Sequence, residues 1–213
     1  MPFLILSDIH STLEALNTVL EHAAGQYDQV LCCGDIVGYG PDPNAVIERI
    51  REFNARVIRG NHEKAALGLV DLSLFNPLAK RAALWTQDEL TVDNRSYLKE
   101  IQAGPLDVPP LTLVHGSLLD EDQYLVDLED ALENFPLARH PVTFFGHTHI
   151  QGGFVRFQDG RAGLLNPETK RGANESQLRI DPEQRYLVNP GAVGQPRDYD
   201  SRAAFVIYDT DEL

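Results

Sequence analysis

The N-terminal third of the chain alternates two kinds of pattern, and that alternation constrains the fold more than any other feature. Phe3–Leu6 and Val30–Cys33 are apolar at every position, and a third short run follows at Arg56–Ile58. A strand with one face in water alternates in polarity, whereas one that does not is buried on both faces. Between these runs Leu13, Leu16 and Leu20, then Val46, Ile50 and Phe53, recur at spacings of three or four. That spacing marks helices with one apolar side. Strand, helix, strand, helix, strand predicts an α/β chain built on a parallel sheet buried on both faces.

The remainder reads less regularly. Residues 62–103 are mostly helical in pattern, with Pro77 near one helix start and Gly104-Pro105 closing the region. Strands are expected at Leu111–Val114 and Val142–Phe145, and a hairpin at Gly152–Phe157 and Arg161–Leu165 around Gln158-Asp159-Gly160. Gln177–Ile180, Tyr186–Val188 and Ala203–Tyr208 complete the expected strands. No linker, repeat or low-complexity segment interrupts the 213 residues, so a single domain over 1–213 is expected.

Short chemical motifs stand where strands end: Asp8-Ile9-His10, Gly34-Asp35, Gly60-Asn61-His62-Glu63, His115-Gly116 and Gly146-His147-Thr148-His149. In α/β sheets the loops at strand carboxyl ends line the ligand crevice, so residues far apart in sequence converge there. Each motif alone is unspecific, but five of the seven histidines occupy such positions. Asp8, His10, Asp35, Asn61, His115, His147 and His149 offer carboxylate, imidazole and amide donors and no thiolate. That set suits Mn²⁺ foremost, or Fe²⁺, Zn²⁺ or Ni²⁺, more than Mg²⁺ or Ca²⁺. Seven donors are too many for one ion with open positions. They fit two ions sharing a carboxylate, about 3.5–4 Å apart as in two-metal hydrolytic sites.

Taken in order, the motifs D-x-H, G-D, G-N-H-E, H-G and G-H-T-H resemble the calcineurin-like dinuclear metallophosphoesterase superfamily. The stretch from Leu187 to Asp198, LVNPGAVGQPRD, resembles the closing segment of its small single-domain bacterial and archaeal phosphodiesterases. The resemblance implies a four-layer α-β-β-α sandwich, two packed mixed sheets flanked by helices. It also implies that Asp8, His10, Asp35 and His149 hold one divalent ion, and that Asp35 bridges to a second held by Asn61, His115 and His147. His62 would bind no metal and would act as general acid on the leaving group, after a hydroxide bridging the ions attacks phosphorus in line. His62 opens a helix expected at residues 62–70 with Asn61 near its cap. A helix N-terminus favours bound phosphate and disfavours a cationic imidazole.

Arg59-Gly60-Asn61-His62-Glu63 is similar to the phosphoserine/threonine protein phosphatase branch, with one departure. That branch carries an Asp-Arg pair three and four residues after the Asp of its G-D motif, where this chain has Gly38 and Tyr39. Arg197 is the candidate to grip phosphate instead, and Tyr39 the candidate to stack on a base or aryl group. Their bland readings are a surface salt bridge and loop packing; Arg59 reads as structural. The implied function is a metal-dependent phosphohydrolase, more a phosphodiesterase on small or nucleotide-like esters than a monoesterase. A protein phosphatase or dinucleoside polyphosphate hydrolase is the second reading, and a non-catalytic scaffold of the same fold is the alternative from another class. His62-Glu63-Lys64-Ala65-Ala66 lacks the second His of the zinc-protease helix, and no G-x-S-x-G occurs for a serine hydrolase.

Charge bears on the partner. The formal charge is −14, and residues 100–138 contain nine acids and no base. Such a chain is unsuited to coating nucleic acid, whose binding draws on Lys and Arg at phosphates. Within 118–135, Tyr124, Leu125, Leu128, Leu132 and Phe135 recur at spacings that predict a helix with a solvated acidic face. The start MPFLILSDIH has no basic segment typical of a signal peptide, and no run approaches the ~20 apolar residues of a membrane span. Adjacent Cys32 and Cys33 read as core filling in a reducing cytoplasm. The expected partner is a small phosphate-ester or nucleotide substrate, with no long nucleic acid and no membrane.

Overall fold

The computed structural model describes residues 1–169 and 174–210; of the expected 1–213 unit, residues 170–173 and 211–213 lie outside the described ones. The elements begin β1 (Pro2–Leu6), α1 (Leu13–His22), β2 (Gln29–Cys32), α2 (Pro43–Glu52) and β3 (Arg56–Val57). A helical region follows with α3 (Asn61–Ala66), α4 (Pro77–Glu89) and α5 (Val92–Glu100). Then come β4 (Leu106–Val108), β5 (Leu111–Leu113), α6 (Leu128–Asn134), β6 (Val142–Phe144), β7 (Gly152–Arg156) and β8 (Ala162–Leu164). The chain closes with β9 (Glu168–Thr169), β10 (Ser176–Gln177), β11 (Arg185–Asn189) and β12 (Val206–Asp209).

One sheet has the order β12-β1-β2-β3 and the other β4-β5-β6-β11-β7-β8. The expected β1-β2-β3 pairing is parallel, with Leu4 opposite Val30 and Cys32 opposite Val57, but β12 adds an antiparallel edge, so the sheet is mixed. Side chains sort by parity along each strand. Leu4 and Leu6 of β1 and Val30 and Cys32 of β2 pack under α1, α2 and α5 against Leu16, Leu20, Val46, Ile50 and Leu98. Phe3, Ile5, Leu31 and Cys33 point the other way and meet Leu111, Leu113, Val142, Phe144 and Val188 of the second sheet. On that sheet's far face Phe145, Phe154 and Leu187 pack with Leu125, Ala131 and Phe135 around α6. Both faces of both sheets are covered, which is the four-layer sandwich and explains why the first strands show no polar alternation.

Three sequence expectations need correction. The helix expected at 62–70 ends at Ala66, because Gly68 takes a left-handed φ of 72° and its N–H closes the turn onto the Ala65 carbonyl. The helix expected across 118–135 is confined to Leu128–Asn134, with a single 3₁₀ turn at Phe135–Leu137. Polar side chains capture the backbone upstream: Ser117 Oγ accepts from the Leu119 and Asp120 N–H groups, and Asp120 accepts from the Asp122 N–H. Asp127 then caps α6, accepting from the Glu129 and Asp130 N–H groups. The strand expected at Gln177–Ile180 reduces to Ser176–Gln177, paired with β9 in a two-stranded ribbon.

Candidate metal centre

Each candidate ligand follows the carboxyl end of a strand. Asp8 and His10 follow β1, Asp35 follows β2, and Asn61 opens α3 after β3. His115 follows β5, and His147 and His149 follow β6. The structure brings the titratable members together as two groups that share Asp35: Asp8, His10, Asp35 and His149, and Asp35, His115 and His147. In the first, His149 Nε2 stands 3.2 Å from Asp8 Oδ1 and 3.2 Å from His10 Nε2, which is 3.8 Å from Asp35 Oδ2. In the second, His115 Nε2 is 3.3 Å from Asp35 Oδ2 and 3.1 Å from Asn61 Oδ1.

Backbone carbonyls set the orientation of all four imidazoles. His10 Nδ1 donates to the Val37 carbonyl (3.0 Å), His115 Nδ1 to Cys33 (2.8 Å), His149 Nδ1 to Gln195 (2.6 Å) and His147 Nε2 to Asp122 (3.1 Å). A carbonyl only accepts, so the nitrogen facing it carries a proton and the other nitrogen faces inward, where it can offer a lone pair once it is free of a proton. The two carboxylates behave alike. Asp8 Oδ2 accepts from the His147 N–H and Asp35 Oδ1 from the His62 N–H, while Asp8 Oδ1 and Asp35 Oδ2 are buried without a hydrogen-bond partner. Buried acceptors converging on one another are costly unless a proton or a cation lies among them. The donor set therefore fits divalent cations.

The titration behaviour follows from the same crowding. Burial would lower the His115 pKa, but the Asp35 carboxylate beside it outweighs burial and pushes it up to about 10. Burial, assisted by the charge of His115, lowers His147 to about 3. Burial raises Asp8, whereas for Asp35 the surrounding histidines overcome burial and hold its carboxyl well below the usual range. A cation bound there would compete with a proton for the His115 ring.

The loops are bent sharply to bring these atoms inward. Asp8, His10, Asp35, His147 and His149 have left-handed φ of 53°, 48°, 55°, 67° and 61°. Residues other than glycine rarely adopt such values, and they concentrate at functional sites.

His62 lies beside the cluster with its ring 4.7 Å from those of His10 and Tyr39 and 5.6 Å from that of Phe75. Its Nδ1 is buried against Gly38 without a partner, which leaves Nε2 to address a ligand. Burial lowers its pKa and the Asp35 carboxylate opposes that shift. Gly38 thus occupies the place where the protein phosphatase branch has an Asp, and Tyr39 packs on the His62 ring. Arg197 is exposed in the closing segment, its N–H on the His149 carbonyl (3.1 Å) and its guanidinium on Gln195, near enough to lower the pKa of His62 and His149. Arg59 bonds Glu121 at 3.0 Å, in keeping with its structural reading.

Sequence reasoning missed two supports. The buried Glu63 carboxylate accepts from the N–H groups of Gly60, Asp35, Ile36 and Val37 at 2.7–3.2 Å, tying the Asp35 loop to the start of α3. The G-N-H-E motif contained that residue but no signal of its role. The acidic stretch is more than solvated surface: Glu121 and Asp122 pair with Lys64, and Tyr124 stacks on His147 with ring centroids 3.9 Å apart.

Residues 1–213 match the family model of the calcineurin-like phosphoesterase superfamily domain. An uncharacterized protein of Methanocaldococcus jannaschii is 34% identical over 215 residues, covering 96% of this chain and 81% of its own. The crystal structure of a metallophosphoesterase from Sphaerobacter thermophilus is similar with a TM-score of 0.79 and 35% identity, covering all of this chain and 84% of its own. A hypothetical protein of Pyrococcus horikoshii OT3 shares the fold at a TM-score of 0.74 and 19% identity, with coverage of 100% and 84%. With its two mixed sheets, its motif-bearing strand ends and a family match along its whole length, the chain belongs to the calcineurin-like phosphoesterase superfamily.

Proposed function

We propose that this chain is a metal-dependent phosphohydrolase that prefers small or nucleotide-like phosphodiesters. The observation that carries this reading is the pair of inward-facing donor clusters sharing Asp35, with Asp8 Oδ1 and Asp35 Oδ2 buried and unpartnered. Asp8, His10, Asp35 and His149 would hold one divalent ion, and Asp35, Asn61, His115 and His147 a second, Mn²⁺ being the first candidate. Such ions supply positive charge against phosphoryl oxygens and acidify water near neutral pH, which provides the nucleophile.

The chain's own residues do the rest. His62 Nε2 delivers a proton to the departing oxygen, and its burial beside Gly38 and Tyr39 keeps the ring from turning away. Arg197 meets a phosphate oxygen at the rim, and Tyr39 offers its ring to an aryl group or base. The preference for diesters rests on the replacement of the Asp-Arg pair by Gly38 and Tyr39. Without a fixed arginine grip, a dianionic monoester gains less than a monoanionic diester. The same replacement disfavours the protein phosphatase reading, since Arg59 is engaged by Glu121. A scaffold would have no use for buried, unpartnered carboxylate oxygens. Two buried free thiols fit a reducing cytoplasm, and no helix among the described residues is long and apolar enough to cross a membrane.

The test compares bis(p-nitrophenyl) phosphate with p-nitrophenyl phosphate in the presence of Mn²⁺. The expected outcome is a kcat/KM at least about tenfold higher for the diester, with KM rising and kcat little changed in Arg197→Ala. A strong monoester preference overturns the substrate class, and no turnover with any divalent ion overturns the enzyme.

A further inference from the structure

Resting on the reading of the site as a two-cation centre, we infer that the charge cluster Arg59–Glu121–Lys64–Asp122 is a positioning device for His147 and controls the second cation position selectively. Its members come from two segments that the fold joins. Arg59 and Lys64 flank the Asn61 motif, and Glu121 and Asp122 lie in the loop after His115. Glu121 accepts from Arg59 at 3.0 Å and from Lys64 at 2.9 Å, and Asp122 from Lys64 at 2.5 Å. The Lys64 side chain is 8% exposed and those of Arg59 and Glu121 are 26% and 24% exposed, so these three charges interact in a medium poorer than bulk water, while Asp122 is 48% exposed at the rim.

Asp122 has two tasks. Its carboxylate is held by Lys64, and its backbone carbonyl accepts from His147 Nε2 at 3.1 Å. Two residues on, Tyr124 lies flat on the His147 ring, with 16° between the planes. The loop returns at its other end to the neighbour of His115, where the Gly116 N–H donates to the Glu121 carbonyl at 3.1 Å. Lys64 thus fixes a loop that, among the described residues, meets the centre at His147 and at the neighbour of His115, both on the side of the second position. His10 and His149 take their orienting carbonyls from Val37 and Gln195, outside this loop. His147 also meets the first position through its backbone N–H on Asp8 Oδ2 at 3.1 Å, but that bond does not involve the ring. Loosening the cluster frees the ring while His10 and His149 keep their own orienting partners, hence the selectivity. Orienting partners of ligating histidines typically change metal affinity about 10–100-fold.

The experiment titrates the metal-free full chain with Mn²⁺ by calorimetry and follows the electron paramagnetic resonance of the loaded protein. Wild type is expected to take two ions per chain and to show spin coupling between them. Lys64→Met, which keeps the aliphatic stem, is expected to weaken one position about 10–100-fold and leave the other unchanged. At limiting Mn²⁺ its spectrum becomes that of an isolated ion, and Lys64→Arg restores much of the coupling. If Lys64→Met does not fold, Asp122→Asn on the exposed side of the pair answers the same question. Two wild-type affinities in the variant, or equal losses at both positions, overturn the positioning role. A wild-type chain that takes fewer than two ions overturns the two-cation centre and this inference together.

Discussion

His62 Nδ1 lies against the backbone of Gly38, so close that a β-carbon at position 38 would overlap the ring nitrogen. Gly38 also has a φ of 90°, where an L side chain is strained. Gly38→Ala is expected to displace the His62 ring while the cation ligands stay in place. Turnover should fall about a hundredfold, the cost of a misplacement near 1 Å, with two ions retained. Steady-state kinetics with metal analysis check this; wild-type kcat in the variant contradicts it.

The role of His62 is separable by leaving group. p-Nitrophenolate departs with little need of a proton, whereas a nucleoside or alkyl oxygen needs one. His62→Asn is expected to lose about 10²–10⁴-fold in kcat on an alkyl or nucleoside diester and clearly less on bis(p-nitrophenyl) phosphate. Equal losses on both substrates would remove the proton-delivery role.

Asp35 is the one residue common to both donor groups. Asp35→Asn is expected to reduce bound metal from two ions to none after dialysis, whereas His10→Ala and His147→Ala should each retain one. Elemental analysis of the dialysed proteins distinguishes these outcomes. A two-ion Asp35→Asn protein would show that the clusters do not depend on a shared carboxylate.

Glu121 predicts a pH effect on stability of the metal-free chain. Burial raises its pKa, but hydrogen bonds and charge from Lys64 and Arg59 outweigh burial and hold it below the usual carboxylate value. A depressed folded-state pKa contributes stability that is present above the unfolded pKa of about 4.5 and is lost as pH falls through the folded value. Glu121→Gln should cost up to about 1 kcal/mol at pH 7, since solvent screens the partly exposed pairs, and progressively less at acid pH. Urea denaturation at both ends of that range measures it; a cost independent of pH refutes the assignment.

The first strands and their helices could be read from sequence because β1 and β2 are apolar on both faces, a pattern that parity along the strand explains in full. The candidate ligands stand out in the sequence because each follows a strand end, where chemistry and topology coincide. The segment 118–127 could not. Its apolar spacing mimics a helix, yet Leu125 serves the core beside α6 and Tyr124 serves the His147 ring, two separate demands on a looped chain. Glu63 was hidden for a different reason: its four backbone N–H donors are contacts between loops, and nothing in the local sequence announces which loops will meet.

The left-handed turns at Asp8, His10, Asp35, His147 and His149 have a consequence for the lifetime of the chain. A left-handed residue other than glycine costs on the order of 1–2 kcal/mol, and here that cost falls on residues of which Asp8 and Asp35 also bury unpartnered carboxylate oxygens. A cation that binds only the folded chain offsets it by mass action. Divalent-ion supply would then govern how long each molecule survives proteolysis as well as how fast it turns over. Under chelation, the strand-end loops should be the first places a protease cuts.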